Sequence, residues 1–332
     1  MKDNKHFVII ISGPTASGKT DFSDVIAQKI NGEIINADVG QFYTPLSIGT
    51  AKPDWKNQKI PYHLFDILSE PKDLSVVEYK NLVTNKISKI IAKNKTPIIV
   101  GGSLFYLKSL LFPPNEFGID AVRGERSSLP RSRIHGAEDF KYSWDYLNKI
   151  DPERAAKIHP NDIYRIKRAI DIWITLGIKP SDAMPKFDPQ FNFLFIFLDL
   201  PIEILSERIK RRTISMINSG WIQEVEKFVD TEWESFFDKK GLIGYSEILN
   251  WIKAGKKREG LEALIENIYT KTRQYARKQL IFWKSFKNQI LKSCKNSSFD
   301  CRVLEVQEPK KFDFSILNFK KHSKLTPTLD KT

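Results

Sequence analysis

The chain is poor in the residues that staple or metallate small proteins. Its 332 residues hold two cysteines, Cys294 and Cys301, with five histidines and three methionines. Two cysteines can close one disulfide at most. With no histidine pair beside them, they lack the companions of a structural zinc site. So few cysteines in so long a chain fit a reducing compartment, and the expected location is the cytoplasm. No apolar run reaches the roughly 20 residues of a membrane-spanning helix. The first apolar strand starts within a few residues of Met1, so no signal peptide is expected. No internal repeat is visible. Acidic residues are in deficit, 40 against 53 basic ones, for a net charge of +13. A polyanionic partner, nucleic acid first, accounts for that excess; a solvated basic surface is the plainer alternative.

What is present is organised around Gly13-Pro14-Thr15-Ala16-Ser17-Gly18-Lys19-Thr20. Two glycines, four residues between them, then Lys and Thr, make a phosphate-loop pattern. The apolar run Phe7–Ile11 precedes it as a buried strand. An amphipathic run follows, with Phe22, Val25, Ile26 and Ile30 on one face. Such a loop lets backbone N–H groups approach phosphate oxygens at a helix N-terminus. Lys19 adds a full charge, and the Thr20 hydroxyl is suited to Mg²⁺. The loop is expected to bind a diphosphate or triphosphate.

Three more apolar runs read as strands: Glu33–Ala37 ending at Asp38, Pro97–Val100 ending in Gly101-Gly102-Ser103, and Phe193–Leu198 ending at Asp199. Strands alternating with helices predict a parallel α/β sheet, whose ligands sit beyond the carboxyl ends of the strands. Asp38 is therefore expected beside the phosphate loop. Asp199-Leu200-Pro201 reads as a helix N-cap, with an acidic strand end of the Walker B kind as the alternative. A break at Pro113-Pro114 and the Arg- and Ser-rich stretch 123–141 mark an inserted segment. The expected division is a core of residues 1–114 and 191–307, a mainly helical insertion at 115–190 and a loosely held polar tail at 308–332. In the insertion, Asp151-Pro152 opens a short helix. Asn161 or Asp162 caps a longer one, with Ile163, Ile166, Ile170 and Trp173 on one face and Gly177 as its stop. A long helix is expected from about Leu261 to Phe286, with Tyr275 and Leu280 in its core stripe and Phe282, Trp283 and Phe286 packed inside.

The motif set resembles the bacterial tRNA dimethylallyltransferase family. The matching residues are Gly13–Thr20, Asp38 with Gln41 and Tyr43, Ile48-Gly49-Thr50-Ala51-Lys52-Pro53, and Val100-Gly101-Gly102. They continue with Asp151-Pro152, His159-Pro160-Asn161-Asp162, Arg165, Arg168, Arg208, Arg212, Ile243-Gly244-Tyr245 and Thr272–Ala276. The resemblance implies a P-loop NTPase-like fold with a helical insertion. It implies transfer of the dimethylallyl group of dimethylallyl diphosphate to the N6 amine of the adenine 3′ of the anticodon in tRNA. It gives Asp38, Lys19, Thr20 and Arg212 to catalysis, Gly13–Thr20 to the diphosphate and Thr20 to Mg²⁺. Contact with the anticodon stem-loop falls to Asp38, Val39, Gly40, Gln41, Ser103, Tyr164, Arg165, Ile166, Lys167, Arg168, Gly244 and Tyr245. A further tRNA-contacting arginine is expected among Arg123, Arg131 and Arg133. The enzyme is expected to act as a monomer away from membranes. Val39-Gly40 stands where the family usually has Ser-Met, and Ser103-Leu104-Phe105 where it has Thr-Gly-Leu. A phosphate-loop kinase for a small acceptor is the rival reading. A non-catalytic RNA-binding or GTP-switch protein is a third, and it leaves Asp38 and the Ile48–Pro53 motif without a role.

Overall fold

A computed structural model describes residues 7–114, 142–256 and 258–317. The apolar runs become strands at Phe7–Ser12 (β1), Gly32–Asn36 (β2), Tyr62–His63 (β3), Thr96–Val100 (β4), Asn192–Leu198 (β5) and Cys301–Val306 (β6). They form one six-stranded sheet in the order β3-β2-β4-β1-β5-β6. Every neighbouring pair is parallel. Parallel sheets are covered on both faces, so their strands are apolar throughout rather than alternating. Val8–Ile11 and Phe193–Leu198 are accordingly sealed from solvent.

The helices are Lys19–Ile30 (α1), Val76–Ile91 (α2), Leu104–Leu111 (α3), Trp144–Ile150 (α4), Pro152–Ala155 (α5), Ile163–Leu176 (α6), Ile202–Asn218 (α7), Trp221–Glu226 (α8), Trp233–Lys240 (α9), Tyr245–Lys253 (α10) and Leu261–Cys294 (α11). The chain divides into two compact units, residues 1–74, 78–111 and 189–332 in one, residues 75–77 and 112–188 in the other. The first holds the sheet. The second has a small core of its own from Leu147, Ala155, Ile158, Ile166, Ala169 and Ile170. Asp151 caps α5 by accepting from the Arg154 N–H, with Pro152 in the first turn. Asp162, rather than Asn161, caps α6 through the Arg165 N–H, and Gly177 ends it in the left-handed region. Among the described residues no helix is long and apolar enough to cross a membrane.

Several expectations need correcting. Asp199 is not a helix cap. Its N–H donates to the Val306 carbonyl, which prolongs the β5–β6 ladder, and α7 begins only after Pro201. Nor does it face the phosphate loop; it shares a small cavity with Trp283, Lys287 and Glu305. Cys301–Val306 forms an edge strand that the sequence reading passed over. The long helix runs on to Cys294. The tail is packed rather than loose as far as Leu317, because Phe312 and Leu317 are buried and Phe312 meets the Phe22 ring edge-on. The rest of the tail, and Arg123, Arg131 and Arg133, lie outside the described residues. Ile163, in the first turn of α6, is 61% exposed, not core.

Candidate active site

The sheet order explains the site. β4 lies between β1 and β2, so the loops leaving these strands stand side by side: the phosphate loop after β1, Gly101-Gly102-Ser103 after β4, and Asp38 after β2. All three line one cleft of about 1310 Å³ in the sheet-bearing unit. The glycine pair is what allows this. A Cβ on Gly101 would lie 2.1 Å from the Ala37 backbone, so any side chain there would push the two strand ends apart. A Cβ on Gly102 would lie 3.6 Å from Asp38 Oδ2, 3.7 Å from Lys19 Nζ and 2.9 Å from Gln279 Nε2. The bare Gly102 backbone thus leaves open the space that Asp38, Lys19 and Gln279 share.

The phosphate loop is held from several sides. Lys19 folds back, its Nζ donating to the carbonyls of Gly13 (3.0 Å) and Pro14 (2.8 Å). The Arg212 guanidinium, from α7, donates to the Thr15 hydroxyl. Arg208, one turn earlier, reaches the carbonyls of Ala16 and Ser17 at 3.5 and 3.4 Å. Thr15, Ala16, Ser17, Gly18, Lys19 and Thr20 line the cleft. Gly13 and Pro14 are buried beneath it. Among the described residues the buried Ser17 hydroxyl has no hydrogen-bond partner. Two arginines and a lysine thus converge on a loop of backbone donors, a charge arrangement suited to a phosphorylated anion.

Asp38 is the counter-charge. Its backbone N–H is held by Asn36 Oδ1 at 2.9 Å, and its Oδ1 accepts from the Gly40 N–H at 3.2 Å. Although its edge reaches the cleft, the dense protein around it desolvates the carboxylate and pushes its pKa up, against the pull of Lys19 and Arg212. The same desolvation brings Lys19 down from 10.5 to about 8, partly offset by Asp38. Perturbed groups of opposite sign sharing a cleft are the signature of a chemical site.

Of the residues expected to touch tRNA, Val39, Gly40, Gln41 and Ser103 line the cleft with Asp38. The Ser103 hydroxyl accepts from the Val39 N–H at 3.1 Å. Tyr245 forms a wall but is only 1% exposed, its hydroxyl donating to Glu224. Gly244 lies outside the lining; its N–H donates to Glu247 Oε2. Tyr164, Arg165, Ile166, Lys167 and Arg168 belong to α6 in the other unit. Tyr164 is 61% exposed. Ile166 is a correction: it is buried in the core of that unit, so its side chain has no reach to a ligand. Lys167 lies over the Tyr142 ring at 4.9 Å. The letters Asn148-Lys149-Ile150-Asp151 match a guanine-recognition motif, but Asp151 is spent on capping α5 and on the Ser181 N–H.

The sequence reading missed the residues that brace the site. Tyr275 is not core; it lines the cleft with Thr272 and Gln279 along one stripe of α11. Gln279 is 6% exposed; its Oε1 accepts from the Thr15 N–H and its Nε2 donates to the Gly102 carbonyl, both at 2.9 Å. Val25, expected in the core, is 42% exposed at the cleft mouth.

A parallel sheet with a phosphate loop on a central strand and a carboxylate two strands away defines a P-loop-type α/β protein. Residues 41–286 match the IPP transferase family. A tRNA dimethylallyltransferase of Alkaliphilus oremlandii is 34% identical over 291 residues, covering 86% of this chain and 90% of its own. That of Aquifex aeolicus is 34% identical over 83% of this chain and 89% of its own. The crystal structure of a tRNA delta(2)-isopentenylpyrophosphate transferase from Staphylococcus epidermidis superposes with a TM-score of 0.58 at 29% identity, over 95% of this chain and 97% of its own. A eukaryotic dimethylallyltransferase acting on tRNA gives 0.70 at 28% identity, over 95% of this chain and 77% of its own. The chain belongs to the IPP transferase family and is a prenyltransferase. This sets the kinase reading aside.

Proposed function

We propose that the chain transfers the dimethylallyl group of dimethylallyl diphosphate to the exocyclic N6 amine of the adenine 3′-adjacent to the anticodon of tRNA, and releases diphosphate. The observation that carries this reading is the meeting of Asp38 with Lys19 and Arg212 at one phosphate loop, in a member of the IPP transferase family. The N6 lone pair attacks the first prenyl carbon, and the carbon–oxygen bond breaks with its electron pair leaving on diphosphate. The amine proton passes to Asp38. An aryl amine is a weak nucleophile, so a desolvated carboxylate of raised pKa suits the step. The loop N–H groups, Lys19 and Arg212 meet the charge growing on the leaving oxygens.

Mg²⁺ fits this site only as a shared ion. The described residues hold no cluster of three His, Cys, Asp or Glu side chains suited to a metal. The Thr20 hydroxyl, diphosphate oxygens and water form the kind of donor set Mg²⁺ takes, and a bound ion would supply further positive charge to the leaving group. In this reading the enzyme works as a monomer in the cytoplasm, where the free thiols of Cys294 and Cys301 stay reduced. The test is incubation with dimethylallyl diphosphate, Mg²⁺ and unmodified tRNA, followed by mass spectrometry of the nucleosides. A prenylated adenosine is expected. Its absence with folded protein and intact tRNA overturns the reading.

A further inference from the structure

Among the buried acids that the mechanism above does not use, one is hydrogen-bonded to the lining of the cleft. Glu224, on the short helix α8, is 7% exposed. Its carboxylate accepts from three successive backbone N–H groups: Ser47 at 3.0 Å, Ile48 at 2.7 Å and Gly49 at 3.1 Å. A fourth donor is the Tyr245 hydroxyl at 2.6 Å. Each oxygen therefore takes two bonds: Oε2 those of Ser47 and Ile48, Oε1 those of Gly49 and Tyr245. Three consecutive N–H groups turned toward one anion form a concave nest, and the anion fixes the backbone of the segment that makes it.

The held segment leads directly into the cleft wall. Gly49, Thr50 and Ala51 line the cleft beside the Asp38–Gln41 rim, where a Cβ on Gly40 would lie 2.8 Å from the Thr50 methyl. The Gln41 amide closes the gap by donating to the carbonyls of Thr50 (3.1 Å) and Ala51 (3.3 Å). Lys52 anchors the far end, its Nζ donating to the Tyr43 carbonyl at 2.7 Å and pairing with Asp66. The near end has no slack either. A Cβ on Gly49 would lie 2.1 Å from the Trp221 indole, so the segment is pressed against α8 itself. A chain of contacts thus runs from Glu224 through 47–51 to Gln41 and on to Gly40, whose N–H donates to Asp38. None of it passes through the phosphate loop.

We infer that Glu224 is a positioning residue for the acceptor side of the reaction: through the nest at 47–49 it fixes the wall beside Asp38 and so sets where the incoming base is held. This rests on the functional reading above. Glu224→Gln keeps the shape of the side chain. Its single oxygen can satisfy Ser47 and Ile48, and its amide N–H can donate to the Tyr245 oxygen, but the Gly49 N–H then faces a donor. The wall should loosen at Gly49 while the phosphate loop keeps its braces.

The full-length Glu224→Gln protein is compared with wild type in three measurements: steady-state transfer to tRNA, calorimetric binding of inorganic pyrophosphate, and amide hydrogen exchange over residues 46–51. Misplacing a reacting group by about 1 Å can cost about a hundredfold, so kcat/KM for tRNA should fall by about 10- to 100-fold while pyrophosphate affinity stays within about twofold. Exchange at Ser47–Gly49 should quicken. Glu224→Asp keeps the charge but withdraws it by one methylene, and should give the same pattern more weakly. If pyrophosphate affinity falls in step with tRNA turnover, the inference is overturned. It is equally overturned if exchange quickens while turnover per folded molecule stays at the wild-type value, or if neither variant folds. Should wild type itself transfer nothing, the functional reading fails on its own. Glu224 is then judged by an isolated anticodon stem-loop RNA: weakened binding in the variant supports the inference, and unchanged binding overturns it.

Discussion

At the residue scale the decisive pair is Asp38 and Lys19, each shifted by the same desolvation in opposite directions. The reaction needs Asp38 ionised, to accept a proton, and Lys19 charged, to meet the diphosphate. Burial opposes both states, so both working limits close in on neutrality. Activity should rise with pH through an Asp38 pKa displaced above the ordinary carboxylate value of 3.8, and fall again as Lys19 loses its proton near pH 8. A bell in kcat/KM for the free enzyme is the expected outcome. Asp38→Asn keeps the size and one acceptor oxygen but cannot take the proton. Its single-turnover rate should fall by about 10²–10⁴-fold, and the acidic limb should vanish from what activity remains. If Asp38 served only to hold the Gly40 N–H, the variant would lose a little stability and keep its rate per folded molecule. A near-wild-type rate sinks the assignment.

At the element scale the question is what aligns strands, loop and helices. The answer divides by sequence distance. The phosphate loop, β1, β2, β4 and β5 were legible because each is a local pattern, an apolar run with glycines or an acid at its carboxyl end. Asp151 was legible as a cap, and Asp162 as one of two candidates with Asn161, because the bond each makes is three residues away. What failed was whatever depends on a remote partner. Asp199 looks like a cap until β6 pairs with β5 across more than a hundred residues. Tyr275 fits the apolar stripe of α11, yet at its position the helix borders the open cleft, where the side chain is 41% exposed. Gln279 is the clearest case, since nothing near it announces a buried amide whose partners are Thr15 and Gly102. It ties α11 to both the phosphate loop and the β4 loop. Gln279→Ala should leave the part-buried Thr15 N–H and the buried Gly102 carbonyl without this partner, the buried carbonyl costing about 1–3 kcal/mol. The melting temperature should fall, and pyrophosphate affinity with it, because the Thr15 end of the loop is released. A variant that melts lower but binds pyrophosphate like wild type would make Gln279 a brace of the fold alone.

At the scale of the whole molecule the feature to explain is the net charge of +13. Some of the basic residues are engaged internally, although a one-to-one ion pair leaves the net excess unchanged. Lys93 and Lys95 pair with buried Glu33, Lys52 with Asp66, and Lys287 with Glu305. Arg208 and Arg212 serve the phosphate loop. Helix α6 presents a different case: Arg165 stands 65% exposed and pairs with Asp162 at 3.3 Å. If exposed cations of this kind meet RNA phosphates, binding must release counterions, and log Kd should climb linearly with log salt. Each phosphate pairing removed should flatten that line by roughly 0.7–0.9. Replacing Arg165 and Arg168 together by glutamine should therefore weaken binding of an anticodon stem-loop RNA at low salt, lower the slope by up to about 2, and let the two proteins converge at high salt. Pyrophosphate binding should not move, because the phosphate loop lies in the other unit and is braced by its own arginines. An unchanged slope would make this face of α6 a solvated surface. A slope that falls together with pyrophosphate affinity would point to a disturbed fold instead, and a thermal melt of the double variant separates that case from a true loss of phosphate pairing.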